Sequence, residues 1–291
     1  MSRSSRRFCR QVQSKDVLLD GMADRLYALL DLPAAGEDWW EPLADLASSR
    51  RSWRGSATAP PSSAAWNCCG RCSTRAVGNN EVVPGRILWD VDTQVDFMEP
   101  SGKLYVPGAR ETAPAMERLV DAARAARIVH VASADDHELT DPEISDSPDF
   151  RDTYPPHCLR GTRGAEKILE TKQRDPLPLS LVPFPTGLVP RLIEGRREIL
   201  LLKKSFNVFT NPNADPLLDA LDPDEIVVFG VATDVCDDAA IRGFLLRGRR
   251  VRFVEDASRG LDEDRVAACT AVWRDRGVAF STTEEVIASL G

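Results

Sequence analysis

The chain has 291 residues, 43% hydrophobic and 28% charged, with a formal net charge of −8 at pH 7. That length admits one large domain or two small ones, since domains commonly run to ~100–200 residues. The acidic balance argues against non-specific binding to nucleic acid or anionic membranes, both polyanions. No stretch approaches the ~20 consecutive apolar residues of a membrane helix.

In chain order, residues 1–85 predict a poorly structured N-terminal extension. MSRSSRRFCRQVQSKD is basic but has no apolar core segment, so it does not read as a secretory signal. DVLLDGMADRLYALLDL places apolar residues at helical spacing and predicts one amphipathic helix. GSATAPPSSAAWNCCGRCSTRAVGNN is rich in Pro, Ser, Ala and Gly, a composition that buries too little apolar surface to offset ordering entropy. Cys69 and Cys72 have C-x-x-C spacing, but no second ligand pair accompanies them. The extension has two further readings: a segment that docks a partner through the patch of Trp39, Trp40, Trp53 and Trp66, or a start codon assigned too early. The seven cysteines are odd in number and irregularly spaced, which with no export signal predicts reduced thiols in a cytoplasmic protein.

Residues 86–291 predict a domain of regular α/β pattern. RILWDVD is a buried strand, ETAPAMERLVDAARAAR a helix and RIVHVAS a strand, followed by a long polar segment to about residue 195. REILLLKK is a strand, PLLDALD a short helix, EIVVFG a strand, DVCDDAAIRGFLLRG a helix and RVRFVED a strand. DEDRVAACTAVWRDR is a helix, GVAFST a short strand and TEEVIASLG a closing helix. Continuous apolar strands alternating with helices predict a mostly parallel sheet covered on both faces, a three-layer α/β/α class. Neither G-x-G-x-x-G after the first strand nor G-x-x-x-x-G-K-[ST] occurs, so dinucleotide and P-loop chemistry have no support.

In such sheets function collects at the carboxyl ends of the strands. Those ends carry Asp92, Gln94 and Asp96, then Asp135, Asp136 and His137, then Lys203 or Lys204, then GVATDVC with Cys236 opening a helix. A thiol at a helix N-terminus meets the positive end of the dipole, which favours thiolate, and a lysine beside it adds to that. An aspartate could take the thiol proton and hand it to a leaving group. The plainer alternative is that Cys236 is a small core residue, as most free cysteines are.

The motifs VDTQVDF, PPHCLRGT, KSFNVF and GVATDVC, together from about residue 86 onward, resemble the isochorismatase-like cysteine hydrolases and, within them, the nicotinamidases. The resemblance implies an Asp–Lys–Cys triad of Asp92, Lys204 and Cys236; Lys203 is set aside because strand alternation points it to the opposite face. It implies a cis peptide between Val231 and Ala232, with the Ala232 and Cys236 N–H groups as an oxyanion hole. It also implies hydrolysis of a small carboxamide, nicotinamide to nicotinate and ammonia, as in pyridine nucleotide salvage and NAD metabolism. Family members often associate, so a homo-oligomer is a further implication. Rival readings are another small amide, a carbamoyl compound, an isochorismate-like substrate, or a binding module that has lost turnover.

A second constellation lies in ADDHELTDPEIS and TYPPHCLRGT. Asp135, His137 and His157 make a plausible shell for zinc, iron or manganese. Nicotinamidases usually place another histidine six positions after the first; here that position is Glu143, which could bind directly or through water. His130, inside an apolar strand, is read as packed core. Tyr154 stands where nicotinamidases commonly have tryptophan, and Phe97, Tyr154 and Val231 would wall the substrate ring.

Overall fold

The structure is a computed structural model that describes residues 85–290, apart from 151 and 186. The expectations for residues 1–84, including the amphipathic helix, the Cys69/Cys72 pair and the tryptophan patch, lie outside the described residues.

Among the described residues, seven strands form one parallel sheet: β1 (Arg86–Val91), β2 (Val129–Asp135), β3 (Leu177–Leu179), β4 (Glu198–Lys203), β5 (Glu225–Val231), β6 (Val251–Arg259) and β7 (Ala279–Ser281). Their order across the sheet is β3-β4-β2-β1-β5-β6-β7, and every neighbouring pair is parallel. The helices are α1 (Val95–Met98), α2 (Ala109–Ala125), α3 (Leu188–Leu192), α4 (Ala214–Leu221), α5 (Asp238–Leu246), α6 (Glu263–Asp275) and α7 (Thr283–Ala288). None of the described helices is long and apolar enough to cross a membrane.

Alternation along the strands divides the core. Ile87, Trp89, Val131, Leu201 and Val228 pack on one face with Leu217 of α4, Phe244 of α5 and Trp273 of α6. Leu88, Val227 and Phe229 pack on the other with Met116 and Val120 of α2 and Val286 of α7. Both faces are covered, which is why the strands read as unbroken apolar runs. The α2 stripe Ala109, Ala113, Met116, Val120 and Ala123 follows helical spacing.

Three elements escaped the sequence reading, the four-residue α1 among them. β3 is a three-residue edge strand containing Pro178. Too short to show a period of two, it contains a residue tolerated only where one ladder edge is free. The five-residue α3 is likewise too short to display a helical stripe. β2 begins two residues later and ends two later than its apolar run suggested, so Asp135 is its last residue.

The chain leaves β1 toward β2 on one side, whereas β5 leads to β6 on the other. Their carboxyl ends therefore flank the topological switch point, where a parallel sheet opens a crevice.

Candidate active site

Four adjacent strand ends supply the polar groups of this crevice. β1 ends before Asp92, β2 in Asp135 and β4 in Lys203, and β5 runs into the turn Thr233–Asp237 that carries Cys236. That turn is wound with the wide π spacing, a local irregularity frequent at functional sites. Asp92 has φ 49°, in the left-handed region that non-glycine residues rarely adopt, so the backbone turns at the strand end. The Val231–Ala232 peptide is cis.

Lys203 joins the set. Its ammonium stands 2.9 Å from Asp92 Oδ2, donates to Asp135 Oδ1 and lies 3.9 Å from Cys236 Sγ. Ser133, two residues before Asp135 on the same strand face, donates its hydroxyl to Asp92 Oδ1 at 2.7 Å. Gln94 fixes the neighbouring backbone: its amide accepts from the Asp135 N–H at 2.7 Å and donates to the Asp135 carbonyl at 2.8 Å. Asp96 accepts from the N–H groups of Lys103 and Cys158, tying two loops below the site.

The expectation for Lys204 is corrected here. Its ammonium bonds both oxygens of Asp141, at 2.8 and 2.7 Å, instead of approaching Cys236. Alternation was the right principle with the wrong reference residue: Ile199 and Leu201 are fully buried and share the face of Lys203. Asp136, also at a strand end, is engaged by the Arg160 guanidinium.

Beside the lysine, Asp135, His137, Glu143 and His157 present ligand atoms all within 4.8 Å of one another. His137 Nε2 and His157 Nε2 lie 3.8 and 3.6 Å from Asp135 Oδ2. Each ring is oriented through its other nitrogen, His157 Nδ1 by the Pro155 carbonyl at 2.8 Å and His137 Nδ1 by Asp141 at 3.4 Å. Glu143 Oε2 accepts from the Phe206 N–H at 3.0 Å, leaving Oε1 3.9 Å from His137 Nε2. Among the described residues His137 Nε2 is buried without a hydrogen-bond partner, so this set fits a divalent cation. His130 is buried, as expected, and sits 3.6 Å from the buried Asp90.

A narrow cleft opens onto Cys236 and this cluster. Phe97 and Tyr154 line it, as the sequence suggested; Val231 does not, being packed into the α2 side of the core. Leu104, Val106, Phe206, Ala232, Val235 and Leu261 complete the apolar wall. Of these, Phe206 lies in a motif already singled out, whereas Leu104, Val106 and Leu261 come from loops whose sequence carries no pattern.

Burial dominates the electrostatics. It holds the Cys236 thiol well above its usual range; Lys203 opposes this, but Asp92, Asp135 and Glu143 add to it. Burial and the three carboxylates thus oppose the thiolate that Lys203 and the helix dipole favour. Asp92 is raised by burial against the pull of Lys203. Burial works against the charge on Lys203, yet Asp135 and Asp92 keep its ammonium well above the ordinary lysine value. Burial and Asp135 push Glu143 up to about 7, while Asp135 itself is lowered, chiefly by Lys203 acting against burial.

A parallel sheet with an acid, an amine and a thiol gathered at its switch point has the groups that nucleophilic hydrolysis requires. The Isochorismatase domain matches residues 87–285, and the chain belongs to the isochorismatase family. A nicotinamidase/pyrazinamidase of Mycobacterium tuberculosis is 30% identical over 200 residues, covering 66% of this chain and 96% of that protein. Among solved structures, the pyrazinamidase of Pyrococcus horikoshii in complex with zinc superposes with a TM-score of 0.53 at 23% identity, over 68% of this chain and 99% of that one. The N-carbamoylsarcosine amidase of Thermoplasma acidophilum superposes with a TM-score of 0.53 at 23% identity, over 68% of this chain and 96% of that one.

Proposed function

We propose that this protein hydrolyses a small, uncharged ring carboxamide, with nicotinamide the favoured substrate, through a thioester on Cys236. The observation that carries the reading is Lys203, whose ammonium touches Asp92 at 2.9 Å and Cys236 at 3.9 Å where the cleft meets a four-ligand cluster.

Asp92 takes the Cys236 proton as the sulfur attacks the carboxamide carbon, and Lys203 offsets the negative charge of the group. The developing oxyanion would be met by the N–H groups of Ala232 and Cys236. The C–N bond then breaks, Asp92 gives its proton to the leaving nitrogen, and ammonia departs. Water, losing a proton to Asp92, adds to the thioester; the acid leaves and the thiol is restored. Burial raises Asp92 above the usual carboxylate value, which makes it a stronger base toward the thiol proton.

Asp135, His137, His157 and Glu143 would hold a divalent cation, zinc, iron or manganese. Bound there, it would supply a Lewis-acid contact for a ring nitrogen and offset the carboxylates that raise the thiol. Orienting the amide over the sulfur in this way is worth up to ~7–11 kcal/mol.

The wall composition separates the candidate substrates. Among the described residues the cleft wall includes no lysine or arginine, so a substrate carboxylate seated away from the cation cluster would be desolvated without a partner. That disfavours N-carbamoyl amino acids and isochorismate-like diacids. The nicotinamidase/pyrazinamidase relative supports a flat nitrogen heterocycle instead. Ammonia release should be rapid from nicotinamide, slight from N-carbamoylsarcosine and suppressed by a chelator. Faster release from the carboxylate-bearing amide would overturn the substrate assignment.

A further inference from the structure

The turn that carries Cys236 also carries Asp234, whose side chain is only 1% exposed. Its carboxylate is devoted to the loop leading into α6. Oδ1 accepts from the Leu261 N–H at 2.7 Å; Oδ2 accepts from the Asp262 N–H at 3.2 Å and pairs with Arg265 at 2.9 Å. Asp262 in turn caps α6 by accepting from the Arg265 N–H at 2.9 Å. The loop lies this close because residue 260 is glycine: a Cβ there would stand 2.2 Å from Val266 Cγ2 and 2.9 Å from Asp234 Oδ1. Leu261 then lines the cleft beside Cys236, Ala232 and Val235. One short turn therefore sets both the sulfur and, through Asp234, a wall of the cleft.

We propose that Asp234 is a positioning residue and Leu261 a specificity-determining one. Asp234 holds Leu261 in register with the nucleophile, so that the cleft admits a flat ring amide and rejects bulk beside the reacting group. This deepens the amide-hydrolase reading and rests on it for the identity of the substrate, not for the geometry. A hydrophobic wall discriminates by size at roughly 10–200-fold per methylene-sized change, so one leucine is enough to set a limit.

Alkylation of Cys236, followed by peptide mass mapping, tests the geometry without turnover. Wild type should react faster with iodoacetamide than with the bulkier N-phenyl iodoacetamide. Leu261→Ala and Asp234→Ala should each shift that preference toward the bulky reagent by about tenfold. The double variant should gain little beyond either single change, because Asp234 acts through Leu261. With nicotinamide, Asp234→Ala should raise KM about tenfold while kcat falls less than threefold, the pattern of lost substrate positioning. Asp234→Asn, which keeps one acceptor oxygen for Leu261, should recover part of the loss. An unchanged size preference in Asp234→Ala, additive effects in the double variant, or a fall in kcat with KM unaltered would overturn the proposal. A wild type that shows the size preference yet releases no ammonia from nicotinamide supports the positioning role and removes the substrate assignment.

Discussion

Lys203 is a fully buried ammonium held by two carboxylates, Asp92 and Asp135, and its neighbour Lys204 faces away to Asp141. The two lysines therefore have opposite expected fates. Lys203→Met should cut kcat by at least ~10²–10³-fold, the scale seen when one group stabilising charge in a transition state is lost. It should also lower stability by roughly 3–5 kcal/mol, because it strands buried carboxylates. Lys204→Met should leave turnover within about fivefold at saturating metal, since its part-exposed ion pair is worth ~1 kcal/mol or less. Steady-state assays and melts of both variants decide this; equal losses would refute the assignment of Lys203. Asp237, directly after Cys236, is fully buried, and burial together with Asp92 and Asp234 holds its carboxyl well above the usual value. The folded state keeps a proton that the unfolded chain releases above about pH 4, so this residue's contribution to stability falls as pH rises toward the folded pKa. Asp237→Asn cannot ionise and should gain stability relative to wild type as pH rises above about 4, by at most roughly 1.4 kcal/mol per pH unit. Urea melts across that range would show a widening gap; a constant gap would contradict the burial of a protonated acid.

At the scale of elements, the site depends on a β2 end and on the segment after it. Gln94 pins the Asp135 backbone, and Asp141 orients His137 while anchoring Lys204. Losing such an orienting carboxylate typically costs ~10–100-fold in metal affinity, so Asp141→Asn should bind metal more weakly by that factor. Excess metal should restore its activity; titration with metal-content analysis would reveal it, and unchanged affinity would remove Asp141 from the support of the cluster. Much of this layout was legible in the residues. Strand ends place Asp92, Asp135 and Cys236 because unbroken apolar runs mark buried parallel strands; Asp135, His137 and His157 read as a plausible metal shell, and Glu143 came in only through the resemblance to nicotinamidases. The face of the lysine was misread because LLLKK offers two lysines and the reading lacked the reference point that Ile199 and Leu201 provide. The role of Ser133 was available from its period-two spacing to Asp135. Leu261 was not, because its position comes from Asp234 and Gly260 through a contact between elements that no local pattern encodes.

For the whole molecule, every residue assigned to the proposed chemistry falls between positions 92 and 261, inside the sheet and the loops at its carboxyl edge. A chain beginning at residue 85 should therefore fold and keep kcat/KM for nicotinamide within a few-fold of the full-length protein; a large loss would assign the N-terminal 84 residues a role in catalysis or folding. The account stands or falls on the sulfur. Ammonia release from nicotinamide should be measured for wild type and Cys236→Ala after confirming equal metal content. Turnover by wild type with none above background in the variant is the predicted result, and release that persists without the thiol would contradict it.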